Sequence, residues 1–338
     1  MAEDQVANRF DDVVLPWQEA NWQRLFAAKS SGRMPHALLL TGNIGLGKSR
    51  FAHRLAASLL CRDPQEDDGK PCGHCQSCRL LRAETHPDFT WIQPEEPGKA
   101  IKIDAIREFT QKGALTSRSG GFKAIIVEPA DALNIAAANS LLKTLEEPVE
   151  HTVIILVTAN AGRLPATIRS RCQRYHFTPP DESSAVTWLN QRLAGSDDVH
   201  LLLSLASGAP LLALQFAQNG TLVERSKMID ELYAIIKNRQ DPLAVALRWN
   251  GLDQVRLIKW LSGWVIDLIR LKIAPESANI INVDERERLQ ALARKVNSRK
   301  LYGLMDRLFE ANRTLGAQLN TQMQLESLLL DWAGISVE

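Results

Sequence analysis

The chain has 338 residues, enough for two or three domains with real cores, and its 40 Lys and Arg nearly cancel 39 Asp and Glu to leave a formal charge of +1. That balance argues against a protein that coats nucleic acid through its overall charge, although a local basic face stays open. The acidic start, Met1-Ala2-Glu3-Asp4-Gln5, has no apolar run behind it, and the longest apolar helical stretch, Leu252 to Ile273, is interrupted by Asp253, Arg256, Lys259, Asp267 and Arg270. Neither a signal peptide nor a membrane span is expected, and the chain reads as cytoplasmic.

In chain order, short apolar runs alternate with helical patterns, which implies a parallel α/β sheet. Ala37 to Leu40 is a buried strand, and Ser49 to Leu60 a helix with Phe51, Leu55 and Leu59 on one face. A cysteine-bearing insertion follows, then a strand at Phe89 to Ile92 and helical spacing from Ile103 to Gln111, with Asp104 suited to its first turn. Strands are expected at Lys123 to Val127, Thr152 to Thr158 and Tyr175 to Phe177, with a helix from Asn134 to Leu145. Pro179-Pro180 marks a domain boundary. Beyond it strands vanish: Asp181 to Leu193 and Val199 to Ala206 are short helices, Gly208 and Pro210 break the pattern, and Asn219-Gly220 breaks it again. Helical periodicity then covers Leu222 to Ile236, Leu252 to Ile273, Leu301 to Leu315 and Met323 to Trp332. Trp249, Trp260, Trp264 and Trp332 are expected in the core of this bundle.

Four of the five cysteines cluster as Cys61 and Cys72-x-x-Cys75-x-x-Cys78. In a reducing compartment this is a metal pattern before it is a disulfide pattern. Four thiolates close a tetrahedral shell around Zn²⁺ and leave no open position, so the site is expected to be structural. Gly73 and Pro71 suit the bend, and His74 is a possible substitute ligand. The plainer alternative is three surface thiols with a buried Cys61.

Gly42-Asn43-Ile44-Gly45-Leu46-Gly47-Lys48-Ser49 is a complete phosphate-binding loop between a strand and a helix. Gly42, Gly45 and Gly47 let successive N–H groups face phosphate oxygens at the positive helix end. Lys48 would reach the β- and γ-phosphates and Ser49 would hold Mg²⁺. The strand Ala124 to Val127, however, ends in Glu128-Pro129, where a working ATPase has Asp for the metal and usually Glu for water. Glu128 can touch Mg²⁺ through its longer arm or stand solvated; Pro129 cannot polarise water. Ser170-Arg171-Cys172 precedes the last strand. Arg171 is either an arginine finger for a neighbouring subunit's γ-phosphate or a surface ion-pair residue, and Cys172 is expected to sit buried beneath the loop.

Together these residues resemble the delta-prime branch of the bacterial DNA polymerase III clamp-loader family of AAA+ proteins. The resemblance is carried by Pro35-His36-Ala37-Leu38-Leu39-Leu40, the cysteine insertion, Thr85-His86-Pro87-Asp88, Glu128-Pro129-Ala130-Asp131, the run Ala137-Ala138-Asn139-Ser140-Leu141-Leu142-Lys143-Thr144-Leu145-Glu146-Glu147-Pro148, and Thr167-Ile168-Arg169-Ser170-Arg171-Cys172. It is strong from Trp17 to about Tyr175, and in the tail Asn320-Thr321-Gln322 to Trp332 looks family-like. It implies an α/β AAA+ P-loop domain over 1–178, a parallel sheet with helices on both faces and a zinc module at 61–78. A small helical lid over 179–219 and an all-α collar over 220–338 would follow. It also implies a subunit of a DNA-directed DNA polymerase holoenzyme without catalytic activity of its own, joined with gamma/tau and delta subunits in a five-membered ring that loads the sliding clamp at primed DNA. Where the catalytic branch carries a nucleotide-sensing Arg in Gly-Ser-x-Arg, this chain has Gly208-Ala209-Pro210-Leu211, so two hydrolytic features are absent while Arg171 is present.

Three functions compete. The first is the stator-like assembly subunit, binding ATP or ADP without useful turnover. The second is a weak stand-alone ATPase of the gamma/tau type that uses Glu128 as its metal ligand. The third, a DNA-binding zinc module, is disfavoured because Arg62, Lys70, Arg79 and Arg82 are offset by Asp63, Glu66, Asp67, Asp68 and Glu84.

Overall fold

The runs Ala37–Thr41, Phe89–Ile92, Lys123–Val127, Thr152–Thr158 and Gln173–His176 form strands β1 to β5 of one sheet. The computed structural model describes residues 14–336 except 66, 97, 114–120, 194, 196–197, 277 and 315–319. The expectations for Met1 to Gln5, Glu66 and Leu315 lie outside the described residues. The spatial order is β2-β3-β4-β1-β5 and every pairing is parallel. β1, β3 and β4 are buried at every position, which is why they read as unbroken apolar runs rather than alternating ones. The last strand begins two positions earlier than its apolar residues suggest, because Gln173 and Arg174 pair with Leu38 and Leu39 through backbone alone.

Helix α1 (Glu19–Ser30) precedes β1, and the crossovers between strands carry α2 (Lys48–Leu60), α3 (Gln76–Arg82), α4 (Ile103–Gly113), α5 (Ile135–Glu146) and the short α6 (Ala166–Arg169). Asn134 caps α5 by accepting the Ala137 N–H at 2.8 Å. α2 buries far more than the single apolar face its sequence shows: His53, Arg54 and Ser58 are also buried. The reason is a second layer. Arg54 stacks on Trp22 of α1 at 4.8 Å, and Ser58 Oγ donates to the carbonyl of Gly69 in the cysteine insertion at 2.5 Å. Trp22 Nε1 reaches the Asp68 carbonyl at 2.8 Å, so the insertion is clasped between α2 and α1.

Thr85-His86-Pro87-Asp88 joins this insertion to β2. His86 is buried, and its Nδ1 accepts the Asp88 N–H at 3.1 Å. The neutral ring therefore carries its proton on Nε2, which meets Ser77 Oγ at 3.0 Å. With its donor aimed at the hydroxyl, the imidazole cannot act as a base toward Ser77, and the constellation is a tie between α3 and the sheet. Burial holds His86 below the usual histidine range; the Asp88 charge opposes this and the Arg62 charge adds to it.

The described residues fall into two compact units, divided between Asp181 and Glu182 beside the Pro179-Pro180 pair. The second is all helical: α7 (Glu182–Asn190), α8 (Val199–Leu205), α9 (Pro210–Gln218), α10 (Thr221–Ile236), α11 (Pro242–Trp249), α12 (Gln254–Ile273), α13 (Arg286–Ala293), α14 (Ser298–Thr314) and α15 (Thr321–Ala333). Pro210 opens α9 at a position where no N–H is needed. Trp249, Trp260, Trp264 and Trp332 are all core residues. Among the described residues no single helix is long and apolar enough to cross a membrane.

A buried polar network runs through this unit. Asp267, fully buried on α12, accepts the Ile281 N–H at 3.0 Å, the Asn282 N–H at 2.8 Å and Asn282 Nδ2 at 2.6 Å. Buried Arg225 of α10 donates to Asn282 Oδ1 at 2.7 Å and grips Asp284 with both terminal nitrogens, at 2.5 and 3.0 Å. Ser204 of α8 adds a bond to the Ile281 carbonyl at 3.0 Å. One irregular segment is thus pinned to three helices. Arg225→Met is expected to lower stability by about 3–5 kcal/mol, because it strands Asp284 and Asn282. Arg256→Met, which breaks the partly solvated pair with Glu224 at 2.7 Å, is expected to cost about 1 kcal/mol or less. Urea unfolding of the full chain, followed by tryptophan fluorescence, checks both.

Candidate functional site

Parallel strands deliver their C-terminal ends to one edge of the sheet, and the phosphate-type residues collect there. After β1 the chain turns through Gly42, where a Cβ would stand 2.3 Å from the Phe177 carbonyl oxygen. Gly47 takes a left-handed conformation (φ +79°) to start α2. Buried Lys48 donates to the Asn43 carbonyl at 2.7 Å. Burial pulls its ammonium down to about 8, against the raising effect of the Glu128 and Asp131 charges. Ser49 Oγ donates to Glu128 Oε2 at 2.7 Å, so the hydroxyl and the carboxylate that ends β3 do meet. Gly45 lies in the same loop with φ +83°.

Several members of this edge carry no sequence signature. Leu46 is fully buried, and its carbonyl accepts both Trp17 Nε1 at 3.0 Å and Gln18 Nε2 at 2.8 Å. These two bonds fix the Leu46 carbonyl, and with it the middle of the loop, against the segment that leads into α1. Asp131, in the turn after Pro129, accepts the hydroxyl of Thr158 at 2.5 Å; Thr158 ends β4 and is buried. Thr158 and Asp131 lie beyond any spacing rule, because the sheet rather than the sequence brings them together. The edge therefore brings together a glycine-bearing turn at a helix N-terminus, an ammonium, a hydroxyl and two carboxylates. Pro129 follows Glu128 and carries no ionisable side chain.

Arg171 lies on the opposite edge. It precedes β5, whose Gln173 pairs with Leu38 at the start of β1. At about 3.3 Å per residue, Gln173 lies roughly 13 Å along the sheet from the turn at Gly42, and Arg171 stands in the turn before it. Its Nη2 pairs with Glu146 Oε1 at 2.6 Å and its Nη1 donates to the Thr167 carbonyl at 3.0 Å. Ser170 Oγ donates to the same carbonyl at 3.1 Å. Cys172 is half-buried rather than buried, since it packs on the core from the rim; burial raises its thiol to about 11, which makes it a poor nucleophile.

Cys61, Cys72, Cys75 and Cys78 converge, their sulfurs all within 4.8 Å of one another. Cys61 Sγ is 3.6 Å from Cys72 Sγ and 3.8 Å from Cys75 Sγ. A tetrahedral ion bound to sulfur at about 2.3 Å requires sulfur–sulfur edges of about 3.8 Å, so the set fits. Cys78 is the buried member and Cys61 is half-exposed, the reverse of the plain-thiol alternative. Burial pushes the Cys75 thiol up, but hydrogen bonds from the Cys78 and Arg62 N–H groups and the neighbouring thiols bring it down to about 6. Burial raises the Cys78 thiol instead, and the neighbouring Cys75 and Cys61 thiols add to the rise. His74 points its Nδ1 at the Cys72 carbonyl at 2.8 Å and stays outside the four-sulfur set.

A phosphate-binding loop after the first strand of a five-stranded parallel sheet, followed by a helical C-terminal region, defines a P-loop protein of the AAA+ class. Two family models agree with one another along the chain: "DNA polymerase III, delta subunit" matches residues 17–181, and "DNA polymerase III, delta subunit, C terminal" matches 219–334. The chain is 32% identical to DNA polymerase III subunit delta' of Pseudomonas aeruginosa, over 95% of this chain and 98% of that protein. It is 34% identical to the Escherichia coli subunit delta', over 93% and 94%. Among solved structures, a DNA polymerase III gamma subunit-related protein from Thermotoga maritima aligns over 92% of this chain and 99% of its own, at 17% identity and a TM-score of 0.44. The chain belongs to the family of DNA polymerase III delta' subunits.

The four-sulfur set makes a direct prediction. Full-length chain stripped with a chelator and titrated with Co²⁺ should develop the absorption of a tetrahedral thiolate site and saturate at one equivalent per chain. Cys75→Ser should lose that absorption or weaken the site at least about tenfold.

Proposed function

We propose that this chain is a stator-like clamp-loader subunit that lends Arg171 to the triphosphate of an adjacent gamma/tau subunit and does not usefully hydrolyse nucleotide itself. The reading assigns it to a five-membered ring with gamma/tau and delta subunits that helps load the sliding clamp onto primed DNA. The observation that carries it is the placement of Arg171 on the sheet edge remote from its own phosphate loop. A guanidinium there is too distant to serve a triphosphate held by Lys48 and Ser49, so any triphosphate it meets belongs to another polypeptide. Ser170 acts with it by fixing the Thr167 carbonyl that Arg171 also uses.

In this reading Gly42, Gly45, Gly47, Lys48 and Ser49 bind ATP or ADP, with Glu128 beside Mg²⁺, and Pro129 accounts for the lack of turnover. Cys61, Cys72, Cys75 and Cys78 hold a structural Zn²⁺. Residues 1–178 form the P-loop domain with its zinc module, 179–219 a lid and 220–338 a collar that holds the ring. One contact favours the second reading, a weak stand-alone ATPase: the Ser49–Glu128 hydrogen bond at 2.7 Å puts the carboxylate against the metal-binding hydroxyl.

In a complex reconstituted with gamma/tau and delta, Arg171→Ala should slow hydrolysis at the served site by about two orders of magnitude or more and leave assembly unchanged. An unchanged rate would remove the finger. Calorimetric titration of the isolated chain with ATP should give binding heat that Lys48→Ala abolishes, with negligible phosphate release; release lost on Lys48→Ala would favour the ATPase instead.

A further inference from the structure

Glu146 is the last residue of α5, and a carboxylate there stands at the negative end of the helix dipole. Helix stability therefore does not account for it. Its contact is Arg171, at 2.6 Å from Nη2, while Nη1 is taken by the Thr167 carbonyl at 3.0 Å. The guanidinium is held through both terminal nitrogens, between the end of α5 and the turn of α6. Its remaining N–H groups stay available to an anion.

The two supports are themselves fixed. Leu141 and Leu145 of α5 and Ile168 of α6 are buried in one apolar cluster, and Cys172 packs against it. His36 Nε2 donates to the Leu145 carbonyl at 3.1 Å, tying the end of α5 to the entry of β1. The ion pair itself is partly solvated, with side-chain exposures of 37% for Arg171 and 51% for Glu146. A pair so exposed adds little to folding. What it does is choose one orientation for a long, otherwise mobile side chain.

We propose that Glu146 is a positioning residue that orients the Arg171 guanidinium before a neighbouring triphosphate arrives. The inference rests on Arg171 being the group that meets that triphosphate. An arginine already oriented loses less freedom when the transition state forms, and that saving appears in the rate rather than in substrate binding.

The test uses the complex reconstituted with gamma/tau and delta, with steady-state ATP hydrolysis measured for wild type, Glu146→Gln, Glu146→Asp, Arg171→Ala and the double variant Glu146→Gln with Arg171→Ala. Glu146→Gln is expected to lower kcat about three- to tenfold, with the KM for ATP and assembly unchanged. Glu146→Asp should recover part of the loss, and the double variant should be no slower than Arg171→Ala alone. A normal rate for Glu146→Gln beside a slow Arg171→Ala overturns the role of Glu146 and spares the finger. A normal rate for Arg171→Ala overturns the finger itself. A faster Glu146→Gln makes the carboxylate a restraint rather than a guide. Additive losses, or failed assembly of Glu146→Gln, make it a structural tie; each of these results also sinks the proposal.

Discussion

Strand direction is the constraint on which the other features depend. Because β1, β3, β4 and β5 are all parallel, the end of each strand and the approach to each strand lie on opposite edges of one sheet. Ser49 and Glu128 meet because both follow strands; Arg171 and Glu146 meet because α6 and α5 both return to the edge where strands begin. Reversing any one strand would exchange these neighbourhoods. The register is held in turn by burial: a slip in β1 or β3, where every residue is inside, would break ladder hydrogen bonds that no water can replace.

The edge at the ends of the strands holds a buried ammonium and carries no ionisable side chain at position 129. Lys48 is buried enough to be pulled down to about 8, and the two nearby carboxylates keep it from falling further. A triphosphate would replace the Asn43 carbonyl as its partner with a far stronger one. Attack on that triphosphate needs a group that orients and deprotonates water, an effect worth about 10²–10⁴ in rate. Proline at 129 offers only a carbonyl that belongs to the backbone turn, where it accepts the Ala132 N–H at 3.0 Å. Asp131, the next carboxylate along, is engaged by Thr158.

The sheet was legible because its central strands are buried on both faces, so each shows as an uninterrupted apolar run. The convergence of the four cysteines and the glycine-rich turn between β1 and α2 were legible because both depend on local spacing. Other parts left no such trace. α1, α3, α6, α9, α11 and α13 went unread: all but α1 span nine residues or fewer, and Pro210, read as a break, opens α9 instead. The Trp17 and Gln18 bonds to Leu46, and the Arg225–Asn282–Asp267 network, join residues far apart in sequence. Asp267 in particular reads as an interruption on an apolar helix; only the fold reveals that it caps the N–H groups of Ile281 and Asn282. Cys172 was misjudged for a related reason, since its sequence neighbours give no hint that β5 lies at the rim of the sheet.

The phosphate loop is also part of the framework, which separates its presence from any catalytic use. Gly42 lets β1 turn beneath the Phe177 carbonyl, where a single added carbon would be too close by a wide margin. Phe177 in turn donates its N–H to Thr41 and packs edge-on against Phe51 of α2 at 5.1 Å. Leu46 fills the core while its carbonyl anchors the segment that leads into α1. Changing these positions would disturb the junction of β1, β5, α1 and α2, whether or not a nucleotide is ever cleaved. Lys48 and Ser49 differ in kind: the ammonium donates to the Asn43 carbonyl and the hydroxyl to Glu128, and packing alone does not demand either group there. Their chemistry is the part of the loop that the framework leaves unexplained.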